Sequence, residues 1–239
     1  MEIKEFKEFF KHKLEENNIF IKEKYYNDFY KYMKKIIEWN EKINVTSITD
    51  EEMFIVKHFV DSLTINKYIE EANMILDIGT GAGFPGVPLK IVNREKKFTL
   101  IDSVNKKLDV IRESVKDLEL YNLEIIHSRA EDLAKKKEYR EKYDVVTTRA
   151  VSNLTTILEY MLPFVKKDGY AICMKGPNIE TEMKESEKAL NILGGKIEKI
   201  ENITIDNLYE RNIIIVKKIK NTPIQFPRNG GKPLKEPIR

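Results

Sequence analysis

Apolar residues in the first third of the chain recur at three- and four-residue steps: Ile3, Phe6, Phe10 and Leu14, then Phe29, Met33, Ile36 and Ile37. That period lays one face of a helix against a core, so the spacing predicts amphipathic helices there. A third helical stretch is expected after the loop 44–50, where Thr49 or Asp50 can cap a helix that opens with Glu51 and Glu52. From Met74 the pattern changes. Short β-rich runs fall at 74–78, 98–101, 123–127, 145–148 and 170–174, separated by helical patterns such as 106–120 and 154–165. Strand, helix, strand repeated five times predicts an α/β fold: a parallel sheet with helices on both faces. Two further runs, 196–203 and 212–218, can bring the sheet to seven strands. The expected organisation is a helical extension over 1–70, an α/β domain over 71–220 and a tail over 221–239.

Composition narrows the class. Of 239 residues, 41% are hydrophobic and 10% aromatic, which suits a packed core and excludes disordered or collagen-like chains. The single cysteine, Cys173, cannot form an internal disulfide; it lies in an apolar run and is expected to be buried and inert. His12, His58 and His127 lack metal-ligand spacing, so no metal site is expected. The start lacks a signal-peptide pattern and no apolar run approaches the ~20 residues of a membrane span, so the expected compartment is the cytoplasm. No oligomer is implied, and a monomer is expected. Charge is uneven: residues 1–70 and 71–210 each carry −2, whereas the last 29 residues carry +7. That excess can neutralise nucleic-acid phosphates, or it can simply solvate a tail.

The sharpest chemical signal is the stretch 74–86, an apolar strand running into Gly79, Gly81, Gly83 and Gly86. Glycines let the backbone approach a ligand closely, and in open parallel sheets ligands sit at the carboxyl ends of the strands. Read from Gly81 to Gly86, the loop matches the dinucleotide pattern G-x-G-x-x-G, which would make this an NAD(P)-binding oxidoreductase. That frame starts two residues late, and Asp77 stands where a diphosphate would be repelled. A carboxylate followed by a glycine loop suits a cationic ligand better, and S-adenosylmethionine carries an ammonium and a sulfonium but no phosphate. Asp102, 19 residues beyond Gly83, is placed to accept hydrogen bonds from ribose hydroxyls, or else to cap the following helix.

After the third strand, residues 127–132 would lie at an adenine edge, although Glu131 alone reads as an ordinary first-turn carboxylate. After the fourth, Arg149 would be a fixed bidentate cation beside donor or acceptor, or a surface ion pair. The fourth strand lacks the Asn/Asp-Pro-Pro-aromatic motif of exocyclic amino methylation, and no base or thiol nucleophile stands out. An acceptor with an exposed lone pair, such as guanine N7, needs neither.

These motifs resemble the ribosomal RNA small-subunit methyltransferase G family, also called glucose-inhibited division protein B, over nearly the whole chain. The matching segments are 39–46, 58–63, 77–86, 129–132, 148–151, Lys175-Gly176 and the ending 226–237. Val45 and Asn229-Gly230-Gly231 are mild departures. The resemblance implies a class I methyltransferase fold, Rossmann-like with a seven-stranded, mostly parallel sheet, behind an N-terminal helical extension. It implies methyl transfer from S-adenosylmethionine to guanine N7 in 16S rRNA, with the rRNA or the small ribosomal subunit as partner. Carried over residue by residue, the cofactor contacts would be Asp77, Gly79, Gly81, Gly83, Phe84, Asp102, Ala130, Glu131 and Arg149. Asp61, Thr148 and Arg149 are candidates beside the reacting base, and Asn44 and His58 are further candidates for RNA or active-site contact. Arg228, Lys232 and Lys235 are candidates for RNA phosphates. An NAD(P)-dependent oxidoreductase and a non-catalytic RNA-binding assembly factor remain alternatives.

Overall fold

Strands of a parallel sheet buried on both faces are built from nearly continuous apolar residues, and β1 (Met74–Ile78) is buried throughout after Met74. In the computed structural model, which describes residues 1–149 and 152–238, it lies third in one seven-stranded sheet, beside the central strand. The other strands are β2 (Lys97–Asp102), β3 (Leu123–His127), β4 (Tyr143–Arg149), β5 (Val165–Lys175), β6 (Gly195–Ile205) and β7 (Tyr209–Lys218), in the order β3-β2-β1-β4-β5-β7-β6. The first five run parallel; β7 is antiparallel to both its neighbours. Strand order reverses between β1 and β4, which opens a crevice above their carboxyl ends. Ala150 and Val151, part of the segment 148–151, and Arg239 lie outside the described residues.

The helices are α1 (Ile3–Glu16), α2 (Tyr26–Asn40), α3 (Glu51–Phe54), α4 (Asp61–Leu63), α5 (Gly86–Val92), α6 (Asn105–Ser114), α7 (Ala130–Leu133), α8 (Leu154–Met161), α9 (Glu180–Leu193) and α10 (Lys232–Lys235). Asp50 caps α3 by accepting from the Met53 amide at 2.8 Å. Between α3 and α4 the chain is wound as a π-helix, Ile55–Val60. The helical pattern at 154–165 ends early. Pro163 cannot continue a helix, and the residues from Val165 onward join β5.

The extension shares its core with the sheet domain. Phe6, Phe10, Phe29 and Phe59 belong to one buried cluster with Phe84, Leu100, Leu108 and Ile111. The β6–β7 hairpin reaches back to α1, where Asp206 pairs with Lys13 at 2.5 Å and its amide donates to Asn17 at 3.2 Å.

The tail corrects the expectation drawn from its charge. Of the basic residues in the last 29, Arg211 donates to Asp61, and fully buried Lys218 donates to the Leu162 carbonyl and to Thr222 Oγ1. Arg228 is spent on Glu159, meeting it through Nε and Nη2 at 3.0 and 2.7 Å. Glu159 holds the guanidinium positively charged above its usual range. Arg140 then fastens the tail from below, donating to the carbonyls of Thr222 and Phe226 at 2.9 and 2.8 Å. The tail is a strap folded onto α8, and among its described residues the exposed cations are Lys232 and Lys235 rather than Arg228.

Candidate active site

The ends of β1, β2 and β4 and the segment after β3 border a cleft of about 420 Å³. Gly79, Asp102, Ala130, Glu131 and Arg149 line it, joined by Ser103, Lys107 and Tyr160, which sequence reasoning missed. Ser103 and Lys107 were within reach, since they follow the carboxylate that closes β2. Tyr160 comes from α8, and nothing local marks it.

Asp102 is held as a ligand group should be. Its Oδ2 accepts from the Gly81 amide and its Oδ1 from the Val104 amide, both at 2.9 Å. A carboxylate has about four acceptor positions, so lone pairs remain for a diol. Gly81 has φ +59°, and a Cβ added there would meet only open space.

Asp77 is a correction to the sequence reading. It does not line the cleft: it is fully buried beneath the glycine loop, with Oδ2 accepting from the Gly86 amide at 3.0 Å and Oδ1 from Thr147 Oγ1 at 3.3 Å. Burial pushes its carboxyl up to about 7. It thereby fills the start of α5, where a dinucleotide's diphosphate would sit. Four more of the loop's amides are spoken for: those of Gly79 and Thr80 donate to the Ile101 carbonyl, and those of Gly83 and Phe84 to the Thr80 carbonyl. A loop with most of its amides consumed and its anion position filled by a carboxylate does not fit NAD(P). It does fit a nucleoside carrying positive charge.

Gly83 and Phe84 face the extension. Phe84 stacks on His58 with ring centroids 4.3 Å apart and planes 6° from parallel, and the Arg149 guanidinium lies 5.3 Å from the same ring. Arg149 donates to the Lys57 carbonyl and to Asp61 Oδ2, each at 2.9 Å, and meets His58 Nδ1 at 3.1 Å. An Arg cannot accept a hydrogen bond, so Nδ1 is the acceptor and Nε2 carries the proton it donates to Thr46 Oγ1 at 2.9 Å. Burial, then the Arg149 charge, holds the imidazole down at about 3, so His58 is neutral. The π-helical winding brings Lys57, His58 and Asp61 to one guanidinium, a use of π-turns familiar at functional sites.

Asp61 is 1% exposed and committed to Arg149 and Arg211; Thr148 is buried and donates to the Ile78 carbonyl at 2.8 Å. Neither reaches the cleft, which corrects their candidacy for contact with a substrate base. Asn44 is exposed on the loop that Asn40 organises by accepting from the Val45 and Thr46 amides. Burial raises the Cys173 thiol to about 12, which keeps it protonated. Among the described residues no group of three or more His, Cys, Asp or Glu could hold a metal ion, and no helix is long and apolar enough to cross a membrane.

Strand order and cleft together define a class I, S-adenosylmethionine-dependent methyltransferase. The fold matches that of a Bacillus cereus O-methyltransferase solved in complex with SAH, at a TM-score of 0.56 and 14% identity, covering 78% of this chain and 90% of that one. Sequence carries the assignment further. Residues 25–214 match the family model for rRNA small subunit methyltransferase G. The chain is 45% identical over 217 residues to the Ribosomal RNA small subunit methyltransferase G of Clostridium tetani, covering 90% of this chain and 91% of the relative. It is 46% identical over 229 residues to that of Desulforamulus reducens, covering 94% and 92%. The chain belongs to the rRNA small subunit methyltransferase G family.

Proposed function

We propose that this chain methylates N7 of one guanine in 16S rRNA, in the cytoplasm and as a single chain. The observation that carries the reading is the oriented Asp102 carboxylate beside an open Gly81, over a helix start already filled by Asp77. Asp102 would hold the ribose, the backbone at Gly79 and Gly81 would pass close to the donor, and Ala130 and Glu131 would border the adenine. Arg149 spends three of its five donors within the protein; the others suit the donor's carboxylate.

S-adenosylmethionine, when bound, supplies an electrophilic methyl group on a sulfonium. Guanine N7 carries its own lone pair, so the protein needs no general base. Its residues bind and align, and alignment can contribute about 7–11 kcal/mol. The neutral, hydrogen-bonded His58 holds Arg149 in place and transfers no proton. Lys232 and Lys235 are the tail's candidates for rRNA phosphates; Arg228 is not.

The test supplies the purified protein with S-adenosylmethionine bearing a CD3 group and small subunits from cells lacking the gene. We expect one deuterated 7-methylguanosine per 16S rRNA by nucleoside mass spectrometry. Salt-dependent rRNA binding without any modified base would support an assembly factor instead, and thermal stabilisation by NADPH but not by S-adenosylhomocysteine would support an oxidoreductase.

A further inference from the structure

The helical extension touches the glycine loop through a polar contact made by a residue outside the family motifs. Tyr32, on α2, is fully buried, and its hydroxyl donates to the Ala82 carbonyl at 2.7 Å. Burial holds the phenol protonated, so it remains a donor. The next residue, Gly83, has φ +85°, and a Cβ there would collide with that hydroxyl. The glycine is thus required twice, for its backbone conformation and for the room it leaves the phenol. The Tyr32 ring sits edge-on to Phe84 at 6.0 Å and against Phe59 at 6.4 Å.

The loop's other tethers come from the sheet or from the loop itself: Ile101 holds its entry, Asp102 holds the Gly81 amide, and Thr80 holds the amides of Gly83 and Phe84. Asp102 grips the peptide between Thr80 and Gly81, and Tyr32 grips the one between Ala82 and Gly83. Two elements far apart in sequence therefore fix the loop's tip from opposite ends.

We infer that Tyr32 is a positioning residue of the donor-binding loop, setting the peptide plane between Ala82 and Gly83 so that the loop is preformed for S-adenosylmethionine. The inference rests on reading residues 79–84 as the loop that meets the donor. A tyrosine that merely fills the core would act on stability alone.

Tyr32→Phe keeps the ring and removes only the donor. By calorimetry with S-adenosylhomocysteine, Kd should rise about three- to tenfold, the range expected for one buried hydrogen bond. KM for S-adenosylmethionine should rise in parallel, with kcat at saturation and KM for the small subunit within about twofold of wild type. Hydrogen exchange should quicken at 79–84 and stay unchanged along α2. Phe29→Leu, a packing control in the same core one turn away on α2, should lower the thermal midpoint and leave the Kd unchanged. Wild-type Kd and loop exchange in Tyr32→Phe, with or without a lower midpoint, would overturn the inference. Asp102→Asn separates the two levels: if it too binds S-adenosylhomocysteine normally, the reading of the loop has failed. If it loses binding while Tyr32→Phe does not, only the role of Tyr32 falls.

Discussion

Arg149 and Arg228 each press a guanidinium onto a carboxylate that is 1% exposed, Asp61 at 2.9 Å and Glu159 at 2.7 Å. Their surroundings differ. Asp61 also accepts from Arg211 at 3.3 Å, so two cations share one anion and positive charge is left over at the border of the cleft. Glu159 accepts from the Arg228 backbone amide at 2.8 Å as well as from its guanidinium, which also donates to the Glu236 carbonyl. That pair is one cation on one anion. On the proposed reading, chemically similar contacts serve binding in one place and fastening in the other, according to whether the charges cancel.

The largest effect should come from Arg149→Met. Losing the donors proposed for the carboxylate of S-adenosylmethionine should lower kcat/KM for methyl transfer about a hundredfold, the cost of one or two hydrogen bonds to a charged group, read by single-turnover nucleoside analysis. Asp61 keeps Arg211, so the thermal midpoint should move little; a collapse in stability would make Arg149 a lock like Arg228. Next comes Arg228→Met, which leaves Glu159 buried without a cation. Removing one partner of a buried pair costs about 3–5 kcal/mol; Arg228 is 26% exposed, so about 2–4 kcal/mol by urea unfolding is expected here. Methylation per folded molecule should stay near wild type, and a large fall would erase the contrast. Smallest is the double change Lys232→Ala, Lys235→Ala. If both cations meet rRNA phosphates, log K against log salt should become shallower by about 1.4–1.8, and an unchanged slope would remove the tail from the rRNA interface.

The strands were legible because a buried parallel strand writes itself as an apolar run, and Asp102 because it closes one of them. Pro163 also marked where a helix had to stop, although periodicity alone ran the pattern on to Val165. Asp77 was misplaced for want of the two-residue alternation. Ile78 borders the cleft, so its neighbour Asp77 points the other way, toward α5, where Gly86 meets it. The fate of the tail's charge was beyond local reading, since Glu159 lies 69 residues before Arg228 and nothing nearby shows that it is buried. Tyr32 looked like one more apolar-face residue, because its carbonyl partner stands 50 positions away.

The clasp between α1 and the β6–β7 hairpin bears on how the chain is made. Lys13 and Asp206 stand 193 residues apart, and at synthesis rates of about 5–20 residues per second the first waits roughly 10–40 s for the second. During that interval the nascent amino-terminal helices lack one of their tethers. Maturation of the enzyme therefore closes from later-made strands back onto an earlier-made helix.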